Sequence, residues 1–361
     1  MANPPGNDLG TPSRNARRRF AVALLLAYSA LLALLTLLNG LGGDRWWFGA
    51  FNHYLPQAIW LIPLLPLAAT SAWWAKRWLW LLPVLALWVL GPIMGFQFHL
   101  PDRQGAGTPL RILTCNMKYG IRDTDALFRD ISAYRPELVC LQDVLPANRP
   151  QLASFFKDWQ VWSEGQFWIA SRHPLERTGP PRKGALLGME PDYPFSKVRV
   201  LIQGTPLAVY SVHLLSPREG LNALRPDQGR LEPISSRIRD LRENVDARLA
   251  EARQLAGAVR TEPGHVLVMG DLNALDGSQV CRMMRQTGLR DAFAEAGVGY
   301  GYTYGHFLLD RRFPWLPHFS WMRIDHIMIS QGVRVQRCMT GTSRASDHRP
   351  VIADLCVPDP L

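Results

Sequence analysis

The sequence predicts an α+β protein, in which a β-sandwich flanked by helices follows three transmembrane α-helices. Three long runs without a charged residue occupy the N-terminal third of the chain. Beyond residue 109, short apolar segments rich in β-branched residues outnumber the helical patterns. Many strands with few helices favour two packed sheets that carry helices on their outer faces.

The chain of 361 residues is long enough for one large domain with an appendage. Its net charge of +10 is divided equally, because residues 1–108 hold eight basic and three acidic side chains and the remainder holds 32 and 27. The C-terminal part is therefore only mildly basic, which gives little support to a nucleic-acid partner.

Five cysteines are scattered along the chain without a CxxC pair, at positions 115, 140, 281, 338 and 356. An odd and irregular set argues against both a zinc site and a disulfide framework. One disulfide between two of these cysteines stays open at this point.

The three uncharged runs cover residues 20–38, 55–74 and 78–98. Each run is long enough to cross a hydrocarbon core of roughly 30 Å. Tryptophans lie near the ends of the runs, as in the interfacial belts of membrane proteins, and prolines inside the runs are tolerated in membrane helices. A cleaved signal peptide before a soluble core is the alternative, but the first run is too long for it and two more follow.

Basic residues predict the orientation of these spans. Three arginines end the segment 1–19, and Lys76 with Arg77 separates the second and third runs, whereas residues 39–54 hold one arginine and one aspartate. Residues 1–19 are therefore expected in the cytoplasm, and the loop 39–54 outside. Three crossings then bring the C-terminal domain, residues 110–361, to the outer face of the cytoplasmic membrane, after a polar linker at residues 99–109.

Apolar segments after the linker predict the strands of the sandwich. They cover residues 110–117, 138–144, 167–171, 197–202, 207–214, 266–269, 324–329 and 351–355. Helices are expected at residues 125–134 and 234–260. The second helix has an apolar stripe that should face inward, so its many charged residues are interpreted as a solvated face.

Side chains that can carry chemistry are concentrated near the ends of these strands. They are Asn116, Asp143, His213, Asp271, Asn273, Asp325, Asp347 and His348. Hard oxygen ligands hold Mg²⁺ or Mn²⁺, a carboxylate activates water, and imidazoles meet the charge that develops on phosphorus. A single Asp after a strand is more often a cap or turn residue, and a lone His is more often a core residue. The complete set instead favours hydrolysis of a phosphate ester.

The motifs around these residues resemble those of the endonuclease/exonuclease/phosphatase superfamily, which includes DNase I-like nucleases, inositol polyphosphate 5-phosphatases and neutral sphingomyelinases. The motifs are ILTCNM, ELVCLQDV, VYSVHL, VLVMGDLNA, RIDHIMIS and SDHRPVIADL. They span residues 110–357. The resemblance implies a DNase I-like, four-layered αββα sandwich, with the active site at one end of the two packed sheets.

The resemblance also implies a metal site and a water-activating group. Asn116 and Asp143 would bind Mg²⁺, or alternatively Mn²⁺ or Ca²⁺, and Asp347 would join or support them. Asp271 would orient or deprotonate the attacking water, with Asn273 contacting the phosphate.

Two histidines complete the site that the resemblance implies. His213 and His348 would stabilise the pentacovalent transition state, and Asp325 would fix the tautomer of one imidazole by accepting its N–H. Water would attack in line, without a phospho-enzyme intermediate.

Asp143 departs from the family pattern, which usually has Glu at this position. The shorter side chain withdraws the carboxylate by about 1.5 Å, enough to lose a direct bond at the roughly 2.0–2.1 Å typical of Mg²⁺. The metal is then expected to shift, to bind through water, or to be Mn²⁺ or Ca²⁺. A degenerate, inactive domain is the alternative, although the other motifs are intact.

An aromatic segment at residues 300–321 is the candidate substrate contact. Arg311, Arg312 and Trp315 could hold a lipid phosphate at the membrane surface, and the alternative is an ordinary loop and part of the core. A domain tethered beside a bilayer meets lipid head groups more often than free solutes. The chain also resembles three-span bacterial phosphoesterases associated with teicoplanin-type glycopeptide resistance, which implies a lipid-linked cell-wall precursor.

Together these observations predict a membrane-anchored, metal-dependent phosphoesterase that acts on a lipid-linked phosphate ester or pyrophosphate. The lipid bilayer is its expected partner, nucleic acid is disfavoured, and no protein partner is expected. Two alternatives stay open. A surface-exposed, metal-dependent nuclease would need a basic groove, and a non-catalytic binding protein would show no metal-dependent turnover.

Overall fold

The computed structural model describes residues 13–41, 43–99, 107–120, 123–178, 194–223, 233–308, 319–342 and 345–360. The chain divides into two compact units. One comprises Met1–Leu38 and Leu55–Gly95, and the other comprises Asn39–Tyr54 and Phe96–Leu361. The segment between the first two uncharged runs therefore belongs to the same unit as the C-terminal domain.

The helices and strands of the described residues are numbered in chain order. The helices are α1 (Arg14–Gly40), α2 (Trp47–Tyr54), α3 (Leu64–Trp74), α4 (Leu81–Trp88), α5 (Thr124–Tyr134), α6 (Arg149–Phe155), α7 (Arg218–Ala223), α8 (Ile234–Arg260), α9 (Gln279–Arg285) and α10 (Ala292–Ala296). The strands are β1 (Gln97–Phe98), β2 (Thr108–Asn116), β3 (Leu138–Gln142), β4 (Gln160–Glu164), β5 (Phe167–Ser171), β6 (Leu175–Arg177), β7 (Phe195–Ile202), β8 (Thr205–His213), β9 (His265–Asp271), β10 (Arg290–Asp291), β11 (Val298–Gly299), β12 (Asp325–Ile329), β13 (Arg334–Thr340) and β14 (Val351–Val357).

The first unit is a set of apolar helices. By length and composition, two of them could cross a membrane: Arg14–Gly40 and a composite helix over Lys76–Ile93. The predicted span at 55–74 is instead divided into a 3₁₀ helix, Gln57–Leu61, and the eleven-residue α3. Pro63 lies at this division, and since proline has no N–H, it interrupts the helical hydrogen-bond ladder there. The three spans stay a prediction.

The third predicted span is also shorter than expected. Its helix ends at Ile93, and Gln97–Phe98 forms a short strand paired with β11 in the second unit. The first strand of the sandwich begins at Thr108, two residues earlier than the predicted domain start.

Two six-stranded sheets form the second unit. Sheet A has the order β10-β12-β9-β8-β7-β6, and sheet B has the order β13-β14-β2-β3-β5-β4. Most neighbouring strands are antiparallel, but the pairs β2–β3 and β8–β9 are parallel. Each parallel pair brings the carboxyl ends of two strands to the same edge of its sheet.

Alternation along the strands divides the apolar side chains between two faces. Ile112 of sheet B and Val209 of sheet A lie in one core between the sheets. Leu113, one residue further along, packs outward against α5 and α6, whereas α8 and α9 cover the outer face of sheet A. The order is therefore helix, sheet, sheet, helix, and a two-sheet α/β sandwich of the DNase I-like kind is confirmed.

Local sequence signals account for the helix bounds that position the site. Asp123 caps α5 by accepting a hydrogen bond from the backbone N–H of Ala126 at 2.8 Å. The long helix α8 covers the residues expected of it, and Leu249, Ala252 and Ala256 of its apolar stripe are buried.

Candidate active site

Strand register brings the predicted residues to one end of the sandwich. Parallel pairing aligns Asn116 with the end of β3 in sheet B and places His213 opposite Asp271 in sheet A. Antiparallel pairing then sets Asp325, the first residue of β12, directly opposite Asp271. The two sheets thus contribute side chains to a single cluster.

Gly270 allows the close strand contact that supports this cluster. Its φ is +141°, and a Cβ atom at this position would lie 2.1 Å from the carbonyl oxygen of Val212. No other residue type fits without moving the backbone. The glycine of the motif GDLN is therefore required by the packing of β8 against β9.

Asp271 lies at the centre of the cluster and contacts four of the other residues. It is 1% exposed, and its carboxylate accepts hydrogen bonds from the side-chain amide of Asn116 at 3.1 Å and from the backbone N–H of Asn273 at 2.8 Å. The Nε2 atoms of His213 and His348 lie 3.6 and 3.7 Å from its Oδ2. Burial raises the pKa of Asp271, although the neighbouring imidazoles oppose this shift. A carboxylate of raised pKa facing two imidazoles is well placed to accept a proton from water.

His348 is held by Asp325. Its Nδ1–H donates to the Asp325 carboxylate at 2.9 Å, and both side chains are buried. Burial alone would lower the pKa of His348, but the carboxylates of Asp325 and Asp271 raise it to about 9. The imidazole is therefore a cation at neutral pH, with its Nε2–H directed toward Asp271.

His213 lies between two carboxylates and an amide. Its Nδ1 is in contact with the side-chain oxygen of Gln166 and lies 3.3 Å from Oδ1 of Asp143. Sequence reasoning missed Gln166, which lies in the turn between β4 and β5. A glutamine in a two-residue turn between strands carries no sequence signal that separates it from an ordinary loop residue.

Two predicted oxygen ligands of a divalent ion, Asn116 and Asp143, lie at this end of the sandwich. Asn116 is the last residue of β2, Asp143 directly follows the adjacent parallel strand β3, and both are buried. Asp143 adopts a left-handed backbone conformation with φ 56°, which aspartate tolerates better than most residues. Buried carboxylate and amide oxygens are the donor set that Mg²⁺ and Mn²⁺ prefer.

A second set of ligand atoms lies close together in the described residues. One carboxylate oxygen each from Asp271 and Asp325 and a ring nitrogen of His348 lie within 4.8 Å of one another. The Nδ1 of His348 donates to Asp325 at 2.9 Å and its Nε2 lies 3.7 Å from Asp271, beyond hydrogen-bond distance, so the same atoms could hold a metal ion or take part in proton transfer. Asp347 is half-buried beside this set, and its place among the metal ligands stays a prediction.

Asn273 faces the cluster from the turn after β9. Its side-chain amide donates to the carbonyl of Leu214 at 2.8 Å and lies 3.3 Å from Oδ2 of Asp271. Asn273 also has a positive φ of 49°, so the turn directs both its N–H and its side chain toward Asp271.

The aromatic segment is only partly described. Tyr304 belongs to a small buried cluster with Met322 and Ile324, and its ring centroid is 4.8 Å from that of His348. The guanidinium of Arg218 donates a hydrogen bond to the Tyr304 hydroxyl. Part of the segment is therefore core that supports the site. Arg311, Arg312 and Trp315 lie outside the described residues, and their role stays a prediction.

Comparisons with known proteins identify the family of the chain. A model of the Endonuclease/Exonuclease/phosphatase family matches residues 113–348. Among proteins of curated function, none matches the chain. The chain belongs to the endonuclease/exonuclease/phosphatase family, whose members are in general metal-dependent phosphoester hydrolases.

Several solved structures share the fold at low sequence identity. An endonuclease/exonuclease/phosphatase from Bacteroides vulgatus is 17% identical, with a TM-score of 0.50 over 69% of this chain and 99% of that chain. A family protein from Beutenbergia cavernae is 17% identical, with a TM-score of 0.49 over 69% and 72% of the two chains. An AP endonuclease from Archaeoglobus fulgidus is 16% identical, with a TM-score of 0.47 over 68% and 98%. The narrower resemblance to glycopeptide-resistance phosphoesterases stays a prediction.

Proposed function

We propose that this protein is a membrane-anchored phosphoesterase that uses a divalent metal and hydrolyses a lipid-linked phosphate ester or pyrophosphate at the outer membrane face. The observation that carries the chemistry is the buried Asp271, held by Asn116 and Asn273 between two imidazoles. This arrangement joins a proton acceptor to two groups that stabilise negative charge.

The side chains divide the work of the reaction. Asp271 orients the attacking water and takes its proton, because its carboxylate is buried and its pKa is raised. His348 donates hydrogen bonds as a cation, since Asp325 holds its Nδ1–H, and it stabilises the charge that develops on the phosphoryl oxygens. His213 acts from the other side of Asp271, and Asn273 supplies an amide donor to the phosphate.

Asn116 and Asp143 would hold the divalent ion, with support from Asp347. Such an ion supplies Lewis-acid polarisation of the phosphoryl oxygens and neutralises part of their charge. Asp143 is the residue of this set whose side chain is shorter than the family's usual Glu, so it is the determinant of metal preference.

Membrane attachment is supported by the chain order of the two units. The segment Asn39–Tyr54 lies in the catalytic unit, and so does everything after Phe96. In a protein whose first unit spans a membrane, these two segments lie on one side of it, and residues 55–95 then cross it an even number of times. A single crossing by α1 followed by two further crossings agrees with the orientation predicted from the basic residues.

A lipid substrate follows from that tethering. The catalytic unit is connected to apolar helices through fewer than fifteen residues, which keeps its active site at a high effective concentration of head groups. The predicted contact residues Arg311, Arg312 and Trp315 combine charge with an aromatic ring, as interfacial contacts do.

A comparison of two substrates tests the lipid assignment. The full chain in detergent is assayed on a lipid-linked pyrophosphate in mixed micelles and on a small soluble phosphate ester. We expect the double variant Arg311→Ala/Arg312→Ala, and separately Trp315→Ala, to lose more activity on the lipid, because only the lipid uses interfacial contacts. An equal loss on both substrates would refute the interfacial role. Arg239→Ala, on the exposed side of α8, is the control.

A further inference from the structure

The segment Asn39–Tyr54 packs directly against the loop that follows the catalytic strand β9. The side chain of Asp44 accepts a hydrogen bond from the backbone N–H of Gln279 at 3.0 Å, at the first residue of α9. The chain also approaches Gly277 so closely that a Cβ atom there would lie 1.8 Å from the carbonyl oxygen of Asn39. A segment more than 200 residues away in sequence is thus built into the support of the active site.

Tyr54, the last residue of α2, extends this contact to the catalytic turn. Its hydroxyl donates to the backbone carbonyl of Asn273 at 3.1 Å. The indole N–H of Trp321 donates to the backbone carbonyl of Tyr54 at 3.3 Å, which fixes the end of the helix. Burial raises the pKa of Tyr54, so the hydroxyl keeps its proton and remains a donor.

Arg248 of α8 donates a hydrogen bond to the same carbonyl group, that of Asn273. Its Nη2 donates to the carbonyl of Asn273 at 2.7 Å and to the Tyr54 hydroxyl at 3.0 Å, and its Nε donates to the carbonyl of Leu215 at 3.2 Å. The residue is 3% exposed, although its helix face was expected to be solvated. A buried guanidinium is costly unless its donors are satisfied, so these acceptors fix its position.

Hydrogen bonds to the carbonyl of Asn273 can affect how Asp271 is oriented. The same residue donates its N–H to Asp271 and directs its side-chain amide toward that carboxylate. Its backbone has a positive φ, so the turn has few alternative conformations that keep these bonds. Tyr54 and Arg248 both donate to this carbonyl. They therefore restrain the backbone N–H and the side-chain amide of Asn273, which orient Asp271.

We propose that Tyr54 and Arg248 are positioning residues for the turn Asp271–Leu272–Asn273, so that the loop between the first two apolar runs is part of the catalytic apparatus. This inference rests on the proposed role of Asp271. The two residues act through the Asn273 carbonyl and touch neither the metal ligands nor the phosphate.

Kinetics of the full chain in detergent test the proposal. Tyr54→Phe removes one hydroxyl, and we expect kcat to fall about tenfold with KM nearly unchanged, the effect of losing one hydrogen bond that acts in the transition state. Arg248→Met should lose more, and Arg248→Lys, which keeps a charged donor, should recover part of the loss. Tyr210→Phe is the matched control, because it removes a tyrosine hydroxyl that is also hydrogen-bonded, but to Glu262 instead of Asn273.

Hydrogen exchange supplies a readout that does not depend on substrate. Amides of the peptide covering residues 271–275 should exchange faster in Tyr54→Phe than in the wild-type chain, and at the wild-type rate in Tyr210→Phe. An unchanged kcat in Tyr54→Phe overturns the proposal, as does an equal change of exchange in both tyrosine variants. If the wild-type chain turned over no phosphoester, the proposed function would fail and exchange alone would decide this inference.

Discussion

Asp271 combines three features that rarely occur together in one carboxylate. It is buried, it accepts two well-formed hydrogen bonds, and it faces two imidazoles whose protons can move. Burial favours its neutral form, whereas the hydrogen bonds favour its charged form. The basicity of Asp271 therefore depends on the surrounding residues, and substitution of any of them is expected to change the activity.

Removing the charge of Asp271 should abolish turnover with little change in fold. Asp271→Asn keeps an oxygen to accept from the N–H of Asn273 but loses the proton acceptor, and loss of a general base typically costs about 10²–10⁴-fold in rate. The measurement is kcat on any substrate that the wild-type chain hydrolyses. The control is Asp246→Asn, at an exposed position of α8. Near wild-type activity would remove Asp271 from the mechanism.

Lengthening Asp143 should preserve or raise activity with Mg²⁺. Asp143→Glu restores the family's usual ligand length and brings the carboxylate closer to a small ion. The left-handed backbone at this position makes the variant less stable, so thermal unfolding is measured beside the metal dependence. Loss of activity with Mg²⁺, Mn²⁺ and Ca²⁺ in a folded variant would show that the pocket is built around aspartate.

Sequence motifs predicted the polar residues that the structure brings together, because most of them lie beside an apolar run that predicts a strand. Gln166 and Tyr54 carry no such signal, since their contacts depend on where distant segments pack. Arg248 was interpreted as part of a solvated helix face, and the structure corrects this because α2 covers it. The apolar periodicity of a helix predicts the face on which a side chain lies, but it does not predict which segment packs against that face.

At the scale of the elements, a buried ion pair connects β10 with the loop before β12. Arg323 donates to both carboxylate oxygens of Asp291 at 2.8 and 2.9 Å, and the Nδ1 of His326 lies 2.9 Å from the same carboxylate. Asp291 also caps α10 through the N–H of Ala294. The network thus fixes β12, whose first residue is Asp325 of the active site.

This network should make stability fall in acid. Burial would raise the pKa of Asp291, but Arg323 and His326 more than offset this and hold it well below its usual range. A carboxyl group with a depressed folded-state pKa contributes stability above its unfolded pKa of about 3.9, and the contribution is lost as the pH falls below that value. Asp291→Asn should therefore cost about 3 kcal/mol at pH 7 and less at pH 3.

Denaturant unfolding at several pH values measures this difference. Asp240→Asn, on an exposed part of α8, should leave the free energy of unfolding within about 0.5 kcal/mol of wild type at each pH. A cost for Asp291→Asn that does not shrink in acid would show that capping of α10, and not the ion pair, dominates its contribution.

Strand prediction succeeded where burial is uniform and failed at the sheet edges. All five residues of β3 and of β5 are buried, so both appear as continuous apolar runs. The edge strand β4 has no buried residue, and β13 has only one, so their sequences lack a run that would predict a strand. The segment predicted as a span at 55–74 is divided at Pro63, because membrane hydropathy says nothing about where proline divides a helix.

At the scale of the whole molecule, the segment Asn39–Tyr54 lies between the first two uncharged runs in sequence and belongs to the catalytic unit. We propose that residues 55–95 cross the membrane an even number of times, so that Asn39–Tyr54 and the residues after Phe96, which belong to one compact unit, lie on the same side. A reporter fused after Leu361 should therefore be active outside the cytoplasm, and a reporter fused after Arg77 should be active inside. A C-terminal reporter that is active only in the cytoplasm would overturn this topology.

A comparison of two substrates tests the proposed hydrolysis of a lipid-linked phosphate most directly. Purified full chain in detergent is given equal phosphate as a lipid-linked pyrophosphate in mixed micelles or as double-stranded DNA, each with Mg²⁺, with Mn²⁺ and with chelator. The account predicts faster hydrolysis of the lipid, loss of that activity with chelator and in Asp271→Asn, and weak, strongly salt-dependent cleavage of DNA. Efficient cleavage of duplex DNA without turnover of any lipid phosphate would contradict it and identify a surface nuclease instead.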